Sequence, residues 1–361
     1  MAKVFAVIMA GGAGTRFWPA SRTNRPKQLL ALGGSSEALL TATVKRLAPL
    51  VTPDRVFIVT GAHLAEGTLK AVPDVPRAQI LCEPAARNTA PCIAWAAAVI
   101  ARVDPDALVM VLPSDHFIAD EPGFRRVLER ATKSAENGNV STIGIVPTRP
   151  ETGYGYIEVG DELGDGVKAV ARFVEKPDRA RAEAFLAGKK HLWNAGMFFF
   201  RAADMKKLVA EHLPELAKGI DAIDAAAKKS TADEDATVKS VFPTLPSISI
   251  DHGVMEKAKG LAVVPGDFGW NDVGSWQSAW ELGDKDEKEN ALTANAVAID
   301  ASRNLVRNLG AASKKVIALV GVDDLVVVET DDAILVLPRE RAQDVKLVIE
   351  QLKKSGRTDV L

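Results

Sequence analysis

Two cationic side chains follow a glycine-rich segment near the start of this sequence. The apolar run Val4–Met9 leads into glycines within residues 11–14, and Arg16 and Lys27 come after them. Glycines placed directly after a strand let backbone N–H groups approach and surround phosphate oxygens. A triphosphate carries several negative charges, so backbone donors and two cations together suit it well. The segment therefore predicts a nucleoside triphosphate site, although a glycine-rich turn alone could be purely structural.

Two other phosphate-binding motifs do not fit this segment. A dinucleotide-binding motif needs Gly-x-Gly-x-x-Gly at the start of a helix. Here Phe17 occupies the third glycine position, and Pro19 and Pro26 interrupt any helix that would follow directly. A Walker A loop needs Gly-Lys-Ser or Gly-Lys-Thr after four intervening residues, and the segment has neither.

An acidic residue stands at the end of another predicted strand. Glu83 begins the segment 83–91, which leads into a predicted helix. Guanine presents two adjacent donors, N1–H and N2–H₂, and a carboxylate accepts both in a bidentate pair, whereas adenine lacks this pattern. Glu83 therefore suits a guanine reader, although it could instead pair with Arg87. Asn88 or Thr89 could simply be the N-cap of the helix.

Asp115 follows the apolar strand Ala107–Leu112 and is a candidate metal ligand. In a sheet whose first loop binds phosphates, an aspartate at the carboxyl end of a strand is a natural ligand for Mg²⁺. The neighbouring His116 is expected to be structural, because Mg²⁺ prefers oxygen ligands.

These residues depend on a sheet and helices that place them at one edge. Buried apolar strands separated by helices predict βαβ units and a parallel sheet in an α/β fold. In such a sheet ligands bind at the carboxyl ends of the strands. The predicted strands are Val4–Met9, Arg55–Thr60, Gln79–Cys82, Ala107–Leu112 and Val140–Val146, and the predicted helices are Ala38–Leu47, Asn88–Val103 and Glu121–Glu136.

The middle of the chain, residues 151–274, has a mixed pattern of strands and helices. The polar stretch Lys228–Asp235 is predicted to be a loop or a frayed helix end. The predicted elements are the strands Tyr156–Val159, Val167–Val174 and Met197–Phe200 and the helices Asp178–Ala187 and Asp204–Leu213.

The last part of the chain changes character after a charged segment at residues 284–289. Short apolar runs then recur at a spacing of roughly ten residues, which is typical of all-β structure. An amphipathic helix near Val345–Leu352 closes the sequence. We predict two domains, residues 1–286 and 287–361. The predicted short strands are Ala296–Ile299, Leu305–Val306, Val316–Val320, Leu325–Val328 and Ile334–Leu337.

Composition excludes several classes of protein. The chain of 361 residues has 45 Lys+Arg against 47 Asp+Glu, so no overall basic charge would draw it to nucleic acid or an anionic membrane. Its only cysteines, Cys82 and Cys92, rule out a disulfide framework and a cysteine-rich zinc site. No apolar run reaches the roughly 18 residues of a membrane span, and the apolar N-terminus is too short for a signal peptide. A cytoplasmic enzyme is expected.

The glycine-rich segment resembles a known family signature. Gly-Gly-x-Gly-Thr-Arg followed by Pro-Lys is similar to the signature of the sugar-phosphate nucleotidyltransferases. The variant with Trp-Pro-x-Ser-Arg and Pro-Lys-Gln resembles the mannose-1-phosphate guanylyltransferase branch, as do residues 83–90 and 249–257. Residues 113–116 are similar to the wider family's pattern, and the resemblance extends to about Trp276. This resemblance implies a Rossmann-like, mixed but mainly parallel sheet and transfer of GMP from GTP to mannose 1-phosphate.

The resemblance also implies a role for each matched residue. Arg16, Lys27 and Lys176 would act on the phosphates, and Asp115 and Asp272 would converge on Mg²⁺, although the sequence alone cannot place the two side by side. The nucleotide would contact Gly11, Gly12, Gly14, Thr15, Glu83 and Asn88, and the sugar would contact Gly155, Glu175, Asn194 and Asp251.

The C-terminal segment resembles the family's short left-handed β-helix. It could mediate a homodimer, but its apolar runs could equally be internal core. Some relatives continue into a phosphomannose isomerase domain, and because this sequence stops at Leu361, no isomerase activity is expected.

The expected mechanism needs no nucleophilic side chain. A sugar-phosphate oxygen is already anionic and can attack the α-phosphate of GTP in line, while positioning and charge neutralisation supply the catalysis. Two alternatives stay open. One is a nucleotidyltransferase for another base or sugar, and the other is a non-catalytic nucleotide-sensing protein with the same fold.

Overall fold

A computed structural model describes residues 3–12, 14–33, 36–310 and 314–361. The strands are β1 (Val4–Met9), β2 (Val56–Gly61), β3 (Ile80–Glu83), β4 (Leu108–Pro113), β5 (Phe117–Ile118), β6 (Val140–Ile145), β7 (Tyr156–Gly164), β8 (Val167–Val174), β9 (His191–Arg201), β10 (Leu261–Gly266), β11 (Trp270–Asn271), β12 (Ala296–Ile299), β13 (Leu305–Asn308), β14 (Ile317–Val320), β15 (Leu325–Glu329) and β16 (Ile334–Pro338). The helices are α1 (Leu39–Leu47), α2 (Ala65–Ala71), α3 (Thr89–Val103), α4 (Glu121–Glu136), α5 (Arg179–Gly188), α6 (Ala202–His212), α7 (Pro214–Ala227), α8 (Thr231–Val241), α9 (Trp276–Leu282) and α10 (Val345–Lys354).

Within these residues a central sheet of nine strands has the order β3-β2-β1-β4-β9-β6-β10-β8-β7. The first four strands pair in parallel, as do β6 and β10, whereas β9 runs antiparallel to both of its neighbours β4 and β6. The predicted mixed, mainly parallel α/β sheet is therefore confirmed. Its order places the carboxyl ends of β3, β1 and β4 in a row along one edge.

Helices cover both faces of the sheet, which explains why β1 is apolar throughout. Successive side chains of a strand point to opposite faces. Phe5 and Val7 pack into the cluster that contains α3 and α6, whereas Ala6 and Ile8 pack into the cluster that contains α1 and α4. A strand buried on both faces gives the continuous hydrophobic run seen in the sequence.

A helix begins within residues 228–235, the stretch that was predicted to be a loop or a frayed helix end. The Ser230 hydroxyl accepts a hydrogen bond from the Asp233 amide at 3.0 Å, and α8 begins at Thr231. Serine is a strong N-cap, and acidic residues in the first turn favour the helix dipole. The loop prediction is thus wrong from Thr231 onward, because the polar residues cap a helix.

The predicted short strands near the C-terminus are confirmed as β12–β16. β12 pairs with β14 and β13 with β15 in parallel, and β16 pairs with β15 antiparallel. Two buried asparagines connect successive turns, since the Asn304 amide donates to Oδ1 of Asn290 at 3.0 Å. The boundary between residues 286 and 287 stays a prediction.

The C-terminal region packs directly on the glycine-rich segment. Phe17, Trp18 and Trp276 share an apolar cluster with residues of β15 and α10. The Trp18 indole N–H donates to the backbone oxygen of Val360 at 2.8 Å. The loop that carries Arg16 therefore rests on the end of the chain. Among the described residues, no helix is both long and apolar enough to cross a membrane.

Candidate active site

A cavity of about 640 Å³ lies at the carboxyl ends of β1, β3 and β4. A second cavity of about 300 Å³ shares Arg16, Asp115 and Asp272 with it and also contacts Gly14, Thr15 and Lys27. The structure therefore brings all the site residues predicted from the sequence to these two adjoining cavities. The larger one is lined by Gly11, Gly12, Arg16, Glu83, Asn88, Asp115, Gly155, Glu175, Lys176, Asn194, Asp251 and Asp272.

Lys27 lies at the junction of the two cavities and is 8% exposed. Its ammonium donates to Oδ2 of Asp115 at 2.9 Å and to the backbone oxygen of Asp272 at 2.5 Å. Gly14 makes this position possible, because a Cβ there would lie 2.6 Å from the Cβ of Lys27. Gly14 also has φ +56°, a conformation that side chains other than glycine rarely adopt.

Arg16 is the second cation of the glycine-rich segment, and its side chain is exposed. One guanidinium nitrogen donates to the backbone oxygen of Gly274 at 3.3 Å. Phe17 next to it packs edge-on against Trp276, with ring centroids 5.0 Å apart. Arg16 thus faces solvent at the mouth of the site, where it can reach an incoming anion.

Asp115 and Asp272 form the acidic part of the site. Burial raises the pKa of Asp115, but the Lys27 ammonium and further favourable charges and hydrogen bonds outweigh burial and leave that pKa below its usual value. Among the described residues, no group of three acidic, histidine or cysteine side chains is arranged for a metal. Mg²⁺ commonly binds one or two carboxylates and takes its other ligands from substrate phosphates and water. The pair fits that kind of ion.

Glu83 lies at the carboxyl end of β3, on the same edge of the sheet. Burial raises the pKa of its carboxyl group to about 7. Its Oε1 is buried without a hydrogen-bond partner, and no hydrogen bond or ion pair joins it to Arg87 among the described residues. The pairing that the sequence left open is therefore absent, and Glu83 lines the cavity with one buried carboxylate oxygen that has no partner.

A polar cluster marks the other part of the cavity. Asn194 lies on β9 opposite Gly144 of β6, and its amide donates to Oδ1 of Asp251 at 3.0 Å. The Thr142 hydroxyl lies 2.9 Å from Oδ1 of Asn194 and fixes the orientation of the amide. Burial, with the nearby Glu175 charge, raises the pKa of Asp251 to about 6. The cluster offers donors and acceptors suited to hydroxyl groups.

Glu175 and Lys176 follow β8 and complete this cluster. The Lys176 ammonium lies 3.1 Å from Oε1 of Glu175, and most of the lysine side chain is exposed. Gly155 allows Glu175 to approach, because a Cβ there would lie 2.5 Å from Oε2 of Glu175. The Glu175 amide donates to Oε1 of Glu256 at 3.1 Å, a contact that the sequence did not predict.

Comparison with known proteins decides the family. Residues 5–289 match the family described as Nucleotidyl transferase. Residues 294–352 match the MannoseP isomerase/GMP-like beta-helix domain. The chain belongs to the nucleotidyl transferase family. The resemblance seen in the sequence is confirmed, and so is the small C-terminal β-helix-like region.

Individual relatives cover nearly the whole chain of this nucleotidyltransferase. It is 44% identical to the xanthan biosynthesis protein XanB of Xanthomonas campestris, a match that covers 99% of this chain and 75% of that protein. It is 42% identical to a mannose-1-phosphate guanylyltransferase of Klebsiella pneumoniae, with 98% and 74% covered. The crystal structure of a mannose-1-phosphate geranyltransferase from Thermus thermophilus is 36% identical, has a TM-score of 0.86 and covers 97% of this chain and 99% of its own.

His116 of the nucleotidyltransferase has the structural role that was favoured over metal binding. Its Nδ1 accepts a hydrogen bond from the indole N–H of Trp270 at 3.0 Å. Burial lowers the pKa of the imidazole to about 4, so the ring is neutral near pH 7. The contact ties the residue after Asp115 to the strand before Asp272.

Asn88 is the N-cap of α3, as one alternative from the sequence had it. Its Oδ1 accepts from the Thr89 amide at 2.8 Å, and its φ is +66°. The Thr89 hydroxyl in turn accepts from the Ile250 amide at 2.8 Å. Thr89 therefore holds the segment that carries Asp251 against the start of α3. Asn88 and Thr89 have capping and anchoring roles at the rim of the cavity.

Tyr154 makes a contact in the nucleotidyltransferase site that the sequence did not predict. Its hydroxyl donates to Oδ1 of Asp272 at 2.7 Å. Burial and the adjacent Asp272 charge raise the pKa of the phenol above its usual value, so it stays a donor. The only signal in the sequence was a tyrosine between two glycines, Gly153 and Gly155, and it did not indicate a contact with Asp272.

Proposed function

We propose that this nucleotidyltransferase transfers GMP from GTP to mannose 1-phosphate and releases pyrophosphate, with GDP-mannose as the product. The observation that carries the proposal is the composition of the two adjoining cavities, which are lined by a buried carboxylate, a lysine with two aspartates, and a polar cluster suited to hydroxyl groups. The name of the Klebsiella pneumoniae relative, mannose-1-phosphate guanylyltransferase, supports it.

Glu83 is the proposed guanine reader. Its carboxylate can accept from N1–H and N2–H₂ of guanine in a bidentate pair. A site that leaves a buried acceptor unpaired with other bases discriminates strongly against them. Asn88, on the same side of the cavity, would border the nucleoside.

The glycine-rich segment is the proposed triphosphate site. Backbone groups of Gly11, Gly12, Gly14 and Thr15 would surround the phosphate oxygens, and Arg16 and Lys27 would neutralise their charge. Asp115 and Asp272 are the proposed ligands of Mg²⁺, which supplies charge neutralisation across the phosphates of both substrates. The fit of these two carboxylates to a hard divalent cation supports this choice.

The polar cluster formed by Asn194, Asp251, Glu175 and Lys176 is the proposed sugar site. Asn194, Glu175 and Asp251 would bind the hydroxyl groups of mannose, and the backbone at Gly155 would lie against the ring. The exposed ammonium of Lys176 would bind the sugar phosphate. Because that lysine already pairs with Glu175, one contact would position both the sugar and its phosphate.

The proposed reaction is a direct displacement. A phosphate oxygen of mannose 1-phosphate forms a bond to the α-phosphorus of GTP, and the bond to the β-phosphate oxygen breaks. The attacking oxygen is already anionic, so no side chain needs to remove a proton. Lys27 and Arg16 stabilise the negative charge on the transferred phosphate and on departing pyrophosphate. No covalent enzyme intermediate forms.

Three further predictions remain part of this proposal. The catalytic unit would be residues 1–286, with residues 287–361 as the β domain, and the reaction would take place in the cytoplasm.

A homodimer is supported by exposed apolar side chains on paired strands, because Ile299 of β12 lies beside Val320 of β14 and both are more than half exposed. Light scattering at several protein concentrations would test the dimer.

A crossed substrate panel tests the proposed function. Pyrophosphate release is measured with Mg²⁺ for GTP, ATP, UTP, CTP and dTTP, each with mannose 1-phosphate and with glucose 1-phosphate. The proposal predicts release with GTP and mannose 1-phosphate well above every other pair. A different preferred pair would overturn the assigned specificity, and no release by folded protein would overturn the proposed activity.

A further inference from the structure

Asp272 lies outside regular secondary structure. It follows the short strand β11 and precedes Val273, whose φ is +47°. A β-branched residue in this left-handed region adopts a strained backbone conformation. Asp272 lies between β11 and α9, so contacts from other parts of the chain, and not regular secondary structure, hold its carboxylate.

The hydroxyl of Tyr154 provides such a contact from a distant part of the chain. It donates to Oδ1 of Asp272 at 2.7 Å, although the two residues are 118 positions apart in the sequence. The tyrosine ring is itself held by edge-on packing against Trp193 at 5.2 Å and Trp270 at 5.4 Å between centroids. A ring fixed on two sides fixes the direction of its hydroxyl group.

We infer that Tyr154 is a positioning residue that orients the Asp272 carboxylate toward the divalent cation. A hydrogen bond to Oδ1 holds one carboxylate oxygen, so that Oδ2 would be the oxygen available to bind a cation. Partners that orient a metal ligand commonly change metal affinity or activity by about 10- to 100-fold when removed. This inference rests on the proposed role of Asp272 as a metal ligand.

The same contact connects the metal site to the sugar site. Tyr154 directly precedes Gly155, whose backbone oxygen accepts from the backbone N–H of Asn194 at 2.8 Å. Asn194 in turn binds Asp251. One short turn therefore carries a contact to Asp272 and a contact to the sugar cluster.

The chain offers a matched control for removing this hydroxyl group. It contains only two tyrosines; Tyr154 is partly buried and the second, Tyr156, is fully buried. The hydroxyl of Tyr156 accepts from the Glu151 backbone amide at 3.0 Å and is not bonded to either aspartate. Tyr154→Phe and Tyr156→Phe thus delete the same atom two positions apart, and only the first loses the contact with Asp272.

The test measures binding of Mn²⁺, as a probe for the divalent site, to protein without nucleotide or sugar phosphate. The electron paramagnetic resonance signal of free Mn²⁺ reports the dissociation constant. We expect about tenfold weaker binding for Tyr154→Phe and unchanged binding for Tyr156→Phe. Equal affinity of Tyr154→Phe and wild type, an equal loss in both variants, or no measurable Mn²⁺ binding by the wild type would overturn the inference.

A double-substitution cycle separates positioning from a general structural effect. If Tyr154 acts through Asp272, Tyr154→Phe should cause no further loss of Mn²⁺ affinity in an Asp272→Asn background. Additive losses would overturn the inference. In steady-state assays Tyr154→Phe should raise the Mg²⁺ concentration for half-maximal rate and leave the KM for GTP at saturating Mg²⁺ unchanged. Because Mn²⁺ binding involves neither substrate, its outcome is independent of the crossed substrate panel.

Discussion

Lys27 and Asp115 form a 2.9 Å ion pair although 88 residues separate them in the sequence. The lysine follows the glycine-rich segment after β1, and the aspartate follows β4. Because β1 and β4 are parallel neighbours, their carboxyl ends lie side by side. The sheet thus brings a cation proposed for the triphosphate to a carboxylate proposed for the metal.

Replacing the lysine should remove most of the activity and keep the fold. Lys27→Met retains the buried alkyl chain but loses the charge near the reacting phosphate. Removing one such stabilising group typically lowers kcat by about 10²- to 10³-fold. Steady-state pyrophosphate release measures the loss, and circular dichroism checks the fold.

A surface lysine provides the control for this charge change. Lys133 pairs with Asp165 at 2.7 Å far from the predicted site residues, and both side chains are more than half exposed. Lys133→Met changes the net charge equally and should leave kcat unchanged. A folded Lys27→Met protein with wild-type turnover would remove Lys27 from the proposed mechanism.

A methyl group at Gly14 should displace the lysine. In Gly14→Ala the new Cβ would meet the Lys27 Cβ at 2.6 Å, in addition to the strain of φ +56°. Gly321→Ala is the control, because its φ is +64° and no atom lies within 4 Å of the added Cβ. Left-handed strain alone should cost each variant about 1–2 kcal/mol of unfolding free energy.

The two glycine variants should therefore differ in activity and in stability. Gly14→Ala should lose more unfolding free energy than Gly321→Ala in urea titrations and should lose most of its turnover. Gly321→Ala should keep wild-type turnover. Equal stability and equal activity of the two variants would show that the close approach of Gly14 to Lys27 is unimportant.

Binding of GTP should weaken at acidic pH because of Glu83. Burial places the pKa of this carboxyl group at about 7, so lowering the pH through this value protonates it. The protonated form loses an acceptor that the proposed guanine contact needs. The KM for GTP should therefore increase as the pH is lowered from about 8 to about 6.

The variant Glu83→Gln isolates this contribution to the pH dependence. It should raise the KM for GTP by about 10- to 100-fold, because hydrogen bonds to a charged group contribute binding free energy of about that size. Any pH dependence left in the variant then belongs to other groups, including GTP itself. An identical pH profile for wild type and variant would contradict the assignment of Glu83 as the base reader.

The contact between Trp18 and the end of the chain should stabilise the glycine-rich segment. Trp18→Phe removes a buried indole N–H and leaves the backbone oxygen of Val360 without that donor, which should cost about 2 kcal/mol of unfolding free energy. Trp280→Phe removes a similar but exposed bond to the Glu289 oxygen and should cost less. Equal losses in denaturant titrations would argue against a special role of this contact.

Sequence reasoning predicted the elements whose signals are local. The continuous apolar run of β1 and the acidic start of α4 gave both elements with the bounds that the structure shows. The polar residues before α8 led to the wrong prediction of a loop, because helix N-caps and loops favour the same residue types. No element was predicted for α7, whose apolar residues pack against other helices.

The site was predictable residue by residue, but its contacts were not. Motif order identified Asp115 and Asp272, since each stands in a string that resembles the family. The hydrogen bond from Tyr154 to Asp272 depends on two loops that meet only in the folded chain. The absence of a Glu83–Arg87 pair likewise depends on side-chain directions after β3, which residue spacing does not determine.

The most direct test of guanylyl transfer is ³¹P nuclear magnetic resonance of a mixture of the protein, GTP, mannose 1-phosphate and Mg²⁺. If the protein transfers GMP, the mannose 1-phosphate signal disappears while two mutually coupled nucleotide-sugar signals and the pyrophosphate signal appear, with nucleotide sugar and pyrophosphate formed in equal amounts. A persistent mannose 1-phosphate signal, with GTP intact or converted to GDP and inorganic phosphate, would contradict it.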